Sequence, residues 1–154
     1  MSGHGGVQVL GLAQLNAAIE SMAARLSLAT RAATVQASHL LEREIKQQLS
    51  TSSHAKGTPT PSSPGDPPSL ITGTLRRSIS VKGPHPLGLG RWEAQIGPTA
   101  VYGRIQELGG VTGRGGATEL PARPYVKPAF EKLAATGALT ALYHSAWRRA
   151  ISHH

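Results

Sequence analysis

The sequence predicts an α+β domain: a long N-terminal helix and a C-terminal helix packed on a small, mainly antiparallel sheet, with long flexible loops between them. Three observations carry this expectation. Apolar residues recur at three- and four-residue steps across the first third of the chain. They alternate with polar residues in a short segment around Trp92. Stretches rich in Gly, Pro, Ser and Thr separate the patterned segments. At 154 residues the chain reads as one domain spanning 1–154.

Residues 1–6 are Gly-rich and read as a flexible N-terminus. Val7, Val9 and Leu10 alternate with polar or small residues, enough for a short strand or extended lead-in. From Leu12 the period changes. Leu12, Leu15, Ile19, Met22 and Leu26 open an apolar stripe that continues through Ala29, Ala33, Ala37, Leu40 or Leu41, Ile45 and Leu49. No Pro or Gly interrupts it, which predicts one amphipathic helix over 12–50. Ser and Thr residues over 27–34 lower the propensity and leave a break there open. Unbroken, the helix would span roughly 55 Å, more than a domain of this size needs. Part of it is therefore expected to pack against a sheet or a neighbouring subunit. The pattern drifts and lacks regular flanking charge pairs, which argues against a coiled coil.

Residues 51–69 are mostly Ser, Thr, Pro and Gly, with too little apolar surface to offset the entropy of ordering, so a flexible exposed loop is predicted. The segment 70–125 is expected to hold the sheet and a short helix. Gly73 frees the backbone for a turn before Leu75, which can plug the core while Arg76 and Arg77 face outward. Leu75 to Lys82 reads as a turn of helix leading into a strand, and 83–90 as a Gly/Pro loop. Arg91 to Gly97 is the partner strand, with Trp92, Ala94 and Ile96 on its buried face. The two strands make an antiparallel hairpin with a long mobile loop. Val101, Ile105 and Leu108 mark one face of a short helix, and 109–116 reads as a glycine-rich mobile loop.

Pro121 and Pro124 hold the following stretch extended. Arg123 precedes Pro124 and is extended in turn, so its guanidinium would project from a rigid strut. Glu107 is its natural bidentate partner, within the subunit or across an interface; an ordinary solvated arginine is the plainer reading. Pro128 suits the first turn of a C-terminal helix over 126–151. Phe130, Leu133, Leu139, Leu142, Tyr143 and Trp147 lie on its apolar side with Ala134 and Ala146. Gly137 bends it, and Arg148 and Arg149 complement its dipole.

The formal charge of +8 and a pI near 10.6 call for an acidic partner. Nucleic acid and acidic protein surfaces fit equally, because the sixteen basic residues are dispersed and adjacent only at Arg76-Arg77 and Arg148-Arg149. Absence of cysteine excludes disulfides and thiolate metal sites. No stretch reaches the roughly 18–20 apolar residues of a membrane span, and the first residues lack a signal-peptide pattern. A soluble chain of cytoplasmic birth with no membrane partner is the expectation. Aromatics make up only 4% of the chain, so either subunit contacts complete its stabilisation or it is a small alanine-rich fold of lower stability. No metal-ligand spacing or nucleophile elbow occurs, and GGVTGRGG (109–116) lacks the Gly-Lys-Ser/Thr ending of a phosphate loop. Catalytic, cofactor and metal residues are accordingly none.

Three runs concentrate the remaining signal: TGTLRRSI (72–79), VYGRIQELGG (101–110) and LPARPYVKPAF (120–130). Each pairs Gly or Pro with Arg and a few apolar anchors, the chemistry of a surface held in shape against a partner. With their flanks, SPGDPPSLITGTLRRSI, AQIGPTAVYGRIQELGG and LPARPYVKPAFEKL, they resemble in order and spacing the neck or tail-completion proteins of long-tailed bacteriophages. Those virion-morphogenesis proteins carry a Pro-Gly-x-Pro-Pro, Thr-Gly-x-Leu-Arg-x-Ser, tyrosine-then-Glu-Phe-Gly, Pro-Ala-Arg-Pro-Phe series. The resemblance covers 63–133, and the long helix fits it. Leu108 stands where the family has Phe, Gly110 where some members have Thr, and Tyr125 where Phe is commoner. Leu108 and Tyr125 keep apolar bulk; Gly110 leaves the subfamily open.

The resemblance implies a non-enzymatic structural virion protein without a cofactor. It would be an α+β subunit of a homo-oligomeric ring, a hexamer favoured, between the head connector and the tail-tube proteins. It would be assembled in the host cytoplasm and located in the neck or tail, where contact with transiting DNA is compatible with its charge. Interface or structural candidates are Gly73, Leu75, Arg76, Arg77, Tyr102, Glu107, Gly109, Pro121, Arg123, Pro124 and Tyr125. The loops at 51–69 and 109–119 are expected to order against adjacent rings. A basic nucleic-acid-binding protein using Arg76, Arg77, Arg91, Arg148 and Arg149 is the alternative from another class.

Overall fold

The chain has the α+β fold its sequence predicts. The computed structural model describes residues 11–51 and 62–152; the lead-in at 7–10, the loop residues 52–61 and His153-His154 lie outside the described residues. Helix α1 (Leu12–Gln48) runs for 37 residues without a break. The hydroxyls that weaken its propensity turn back onto the helix. Thr30 Oγ1 donates to the Leu26 carbonyl at 2.7 Å and Thr34 Oγ1 to the Thr30 carbonyl at 2.8 Å, so they bond within the ladder instead of terminating it.

A short α2 (Thr74–Ser78) starts behind Gly73, which sits at φ 70, and runs straight into β1 (Ile79–Gly88). β1 pairs antiparallel with β2 (Arg91–Pro98), from Ile79 opposite Pro98 to Gly88 opposite Arg91. The long loop expected over 83–90 is not there. Residues 83–88 are strand, and the reversal is made by Leu89 and Gly90 alone. Gly and Pro read as loop punctuation in the sequence, but in a two-stranded ribbon both strands are edges and tolerate Pro at irregularities. Those irregularities fall between Lys82 and His85, around a cis Gly83–Pro84 bond, and between Pro86 and Gly88.

Helix α3 (Gly103–Leu108) forms, but its expected apolar face is only partly used: Ile105 is half-buried, whereas Val101 and Leu108 are 98% and 63% exposed. The glycine-rich segment after it is a second hairpin, β3 (Gly110–Thr112) and β4 (Thr118–Leu120), turned through a 3-10 turn at Arg114–Gly116. The sheet is thus two separate two-stranded ribbons. The C-terminal helix is also split, into α4 (Val126–Ala135) and α5 (Ala138–Ser152). Gly137 sits at φ 67, and a left-handed residue ends a helix where a bend was expected.

Ile45, Leu49, Ile79, Tyr125 and Ala129 form the core, with Leu41, Leu75, Ile96 and Val126 packed against it. The C-terminal half of α1, the base of the first hairpin and α4 therefore share one hydrophobic centre. Higher on α1, small buried residues (Ala33, Thr34, Ser38) let α5 approach closely. The Thr34 and Tyr143 hydroxyls are 3.1 Å apart, Trp147 Nε1 donates to Thr30 Oγ1 at 2.9 Å, and Trp92 Nε1 donates to Ser27 Oγ at 3.2 Å. Above Arg25 no described residue covers the helix, and residues 11–24 are all exposed. No helix among the described residues is long and apolar enough to cross a membrane.

Candidate functional site

Two of the three sequence runs meet at the N-terminus of α4. The first turn of a helix leaves its backbone N–H groups without intrahelical partners. Tyr125 at the cap position supplies no side-chain cap of its own. Glu107, reaching across from α3, supplies it instead. Its Oε2 accepts from the Tyr125 and Val126 N–H groups at 2.7 and 2.9 Å, and its Oε1 accepts from Lys127 N–H at 3.0 Å. The fourth position is Pro128, which has no N–H to satisfy. One carboxylate and one proline thus account for the whole helix start, and the negative charge lies at the positive end of the helix dipole.

The pairing of Glu107 with Arg123 expected within the subunit is therefore corrected. The carboxylate accepts from three backbone donors instead, and Arg123 does not project. It is 8% exposed, and its Nε donates to the Ser62 carbonyl at 3.0 Å. Its backbone N–H donates to the Gln106 carbonyl at 2.7 Å, while Gly65 N–H donates to the Ala122 carbonyl at 2.9 Å. The proline-stiffened strut, with Pro121 exposed and Pro124 half-buried, is thus clamped between α3 and the 62–66 segment. The Arg123 side chain is turned inward, not out to solvent.

Tyr125 anchors the same clasp from below. Its ring is completely buried and its hydroxyl donates to the Gly103 carbonyl at 2.9 Å. Burial, with the nearby Glu107 charge and then Tyr102 adding to it, pushes its phenol well above the usual tyrosine range. A Cβ at Gly103 would lie 2.4 Å from Pro98 Cγ, so only glycine lets α3 sit this close to the end of β2. Gly109 closes α3 at φ 69, and a Cβ there would meet Ala122 N at 2.8 Å.

Other sequence candidates lie around this clasp. Leu75 packs against the core from α2. Arg76 and Arg77 are exposed as expected, but Arg77 Nη1 folds back onto the Thr72 carbonyl at 2.9 Å. Tyr102 is 40% exposed and, with Gly73, Leu75 and Arg76, lines a cavity of about 220 Å³ beside Leu49 and the 68–74 segment. On its far side Arg76 shares an open groove with His39, Glu42, Arg43 and Lys46. There Lys46 Nζ at 2.6 Å, and then His39 at 3.1 Å, hold the Glu42 carboxyl below its usual range. Among the described residues, no cluster of three or more His, Asp or Glu side chains is placed to hold a metal ion.

Sequence reasoning missed Gly103, Gln106 and Ser62. Gly103 lay inside a quoted run, but the need for it comes from Pro98, which no local pattern reveals. Gln106 and Ser62 act through backbone carbonyls, which carry no side-chain signal at all. Comparison of the chain with protein-family models, curated proteins and solved structures finds no match in any of the three.

Proposed function

We propose that this chain is a structural protein with no chemistry of its own, a subunit of the homo-oligomeric ring, hexamer favoured, in the neck or tail-completion region of a tailed bacteriophage. In this reading it sits between the connector and the tail-tube proteins of the virion. The observation that carries the reading is the clasp. Two of the three runs that resemble that family, 101–110 and 120–130, are bonded to one another, and Glu107 of the first is engaged by three N–H groups at the start of α4. Its reactive capacity is turned to shape, which is what an assembly subunit requires. Electron microscopy and light scattering of the purified protein are expected to give closed rings of several copies, and virion fractions are expected to contain the protein at the head–tail junction. A monomer at all accessible concentrations, absent from virions, would sink the proposal.

A nucleic-acid-binding reading is favoured by one feature, the groove that brings Arg43 and Lys46 beside exposed Arg76. It predicts DNA affinity of the isolated subunit that falls steeply with salt, by about tenfold per tenfold rise in salt for each phosphate neutralised. Flat or undetectable binding alongside intact rings leaves the structural reading alone.

A further inference from the structure

Among the described residues, the N-terminal end of α1 presents a run of exposed apolar side chains. Leu12, Leu15, Ile19 and Met22 are 53%, 56%, 57% and 40% exposed. At about 100° per residue they fall on the same side of the helix as Thr30, Ala33 and Ala37, the side that α5 covers lower down. α5 ends at Ser152, level with the 23–26 stretch, because Ile151 and Trp147 join Ala23 and Leu26 in lining one groove. The covered face simply continues uncovered for about 20 Å of helix.

That groove is the second feature. It has a volume of about 520 Å³ and is walled by Leu26, Trp147, Ile151 and the hairpin-tip residue Leu89. Leu89 is fully exposed and sits at φ 51, a left-handed conformation that disfavours a leucine. A convex apolar stripe and a concave apolar groove thus stand on one molecule. They cannot meet within it, because the groove's wall and the stripe belong to the same continuous helix.

We infer that the α1 arm of one copy seats its Leu15–Ile19–Met22 stripe in the Leu26–Leu89–Trp147–Ile151 groove of a second copy. Charge agrees with this occupant. Glu20 is the one ionisable side chain in 11–24, in a chain of net charge +8, and the turn of α5 that supplies Trp147 also bears exposed Arg148 and Arg149. The complementarity is local, between the arm's one carboxylate and the arginines beside the groove, and it acts against the overall repulsion of two basic copies. The contact rests on the homo-oligomeric part of the function proposed above and specifies how neighbouring subunits are joined.

The chain contains no cysteine, so introduced ones report without ambiguity. Tagged Ile19→Cys and untagged Leu89→Cys chains, mixed and oxidised, are expected to yield a covalent mixed dimer well above the Ile19–Ile19 and Leu89–Leu89 products. Ile19→Glu, at a position with no packing role in the subunit, is expected to weaken assembly at least tenfold with the circular dichroism spectrum unchanged. Rings that form without the mixed cross-link overturn the arm-in-groove contact and leave the ring reading standing. Predominant Ile19–Ile19 product shows arms paired with each other and likewise overturns it, as does an Ile19→Glu protein that assembles like the wild type. A wild-type protein that never leaves the monomer overturns both proposals.

Discussion

Tyr125 shows how one side chain serves several purposes in this fold. Its ring fills the core beside Ile45, its backbone starts α4, and its hydroxyl reaches the Gly103 carbonyl. In the sequence it was legible only as bulk, since the resembling family has Phe there more often; the hydroxyl's partner depends on the close approach of Gly103 to Pro98. The Tyr125→Phe variant tests the bond. Leaving the Gly103 carbonyl without its donor should cost about 1–2 kcal/mol at neutral pH. The pH dependence has a definite sign. The folded protein holds the phenol above its ordinary value near 10, so this group's contribution is complete below that pH. As pH rises past 10 the unfolded chain releases the proton and the folded one does not, and stability falls. Denaturant midpoints taken from pH 7 to 11 should therefore decline above pH 10 more steeply in the wild type than in Tyr125→Phe. Parallel declines would remove the buried phenol from the account.

At the level of elements, sequence periodicity located α1, β2 and α3 well because each depends on its own residues. Leu12 to Leu49 kept helical spacing without a Gly or Pro, and Trp92, Ala94 and Ile96 alternated cleanly. It did poorly where a break or pairing depends on a partner. Gly137 could have been tolerated in a bent helix, and only its left-handed conformation separates α4 from α5. The first hairpin was expected, but the extent of its strands and the whole of the second hairpin were hidden, because Gly and Pro mark loops and ribbon bulges alike. The start of α4 was half legible. Pro128 announced the first turn, but Glu107 lies 18 residues before Tyr125 in the chain and was assigned to Arg123 instead. Glu107→Gln removes the charge and one of two acceptor oxygens while keeping the side-chain length. The expected loss is about 1–2 kcal/mol, in the range of a helix cap plus a charge–dipole interaction. For a chain of this size that lowers the melting temperature by roughly 2–8 °C. The same variant should speed hydrogen exchange at the Tyr125, Val126 and Lys127 amides before any others. Unchanged protection there would mean the carboxylate is not their acceptor in solution.

At the scale of the whole molecule, the chain divides into a bonded lower half and a bare upper one. Below Arg25 the α1 helix is covered by α5, the first hairpin and α4; above it an apolar stripe faces solvent. The sequence already implied a helix longer than its domain, yet the groove that complements the stripe could not be read from it, because Leu89 looked like part of a loop. Leu89 makes the strongest whole-molecule test, since its local and assembled roles pull in opposite directions. At φ 51 a leucine carries a backbone cost that glycine does not, on the order of 1 kcal/mol. Being fully exposed, it recovers none of that cost inside its own subunit. Leu89→Gly should therefore leave the isolated subunit at least as stable, with a melting temperature at dilution equal to or a few degrees above the wild type. At high concentration the same variant should assemble less well, because one wall of the groove that receives the neighbouring arm is gone. Light scattering across a dilution series, read beside thermal melts of the same samples, separates the two effects. A variant that loses stability without losing assembly would show that Leu89 packs within its own subunit after all, and would remove the groove from the interface.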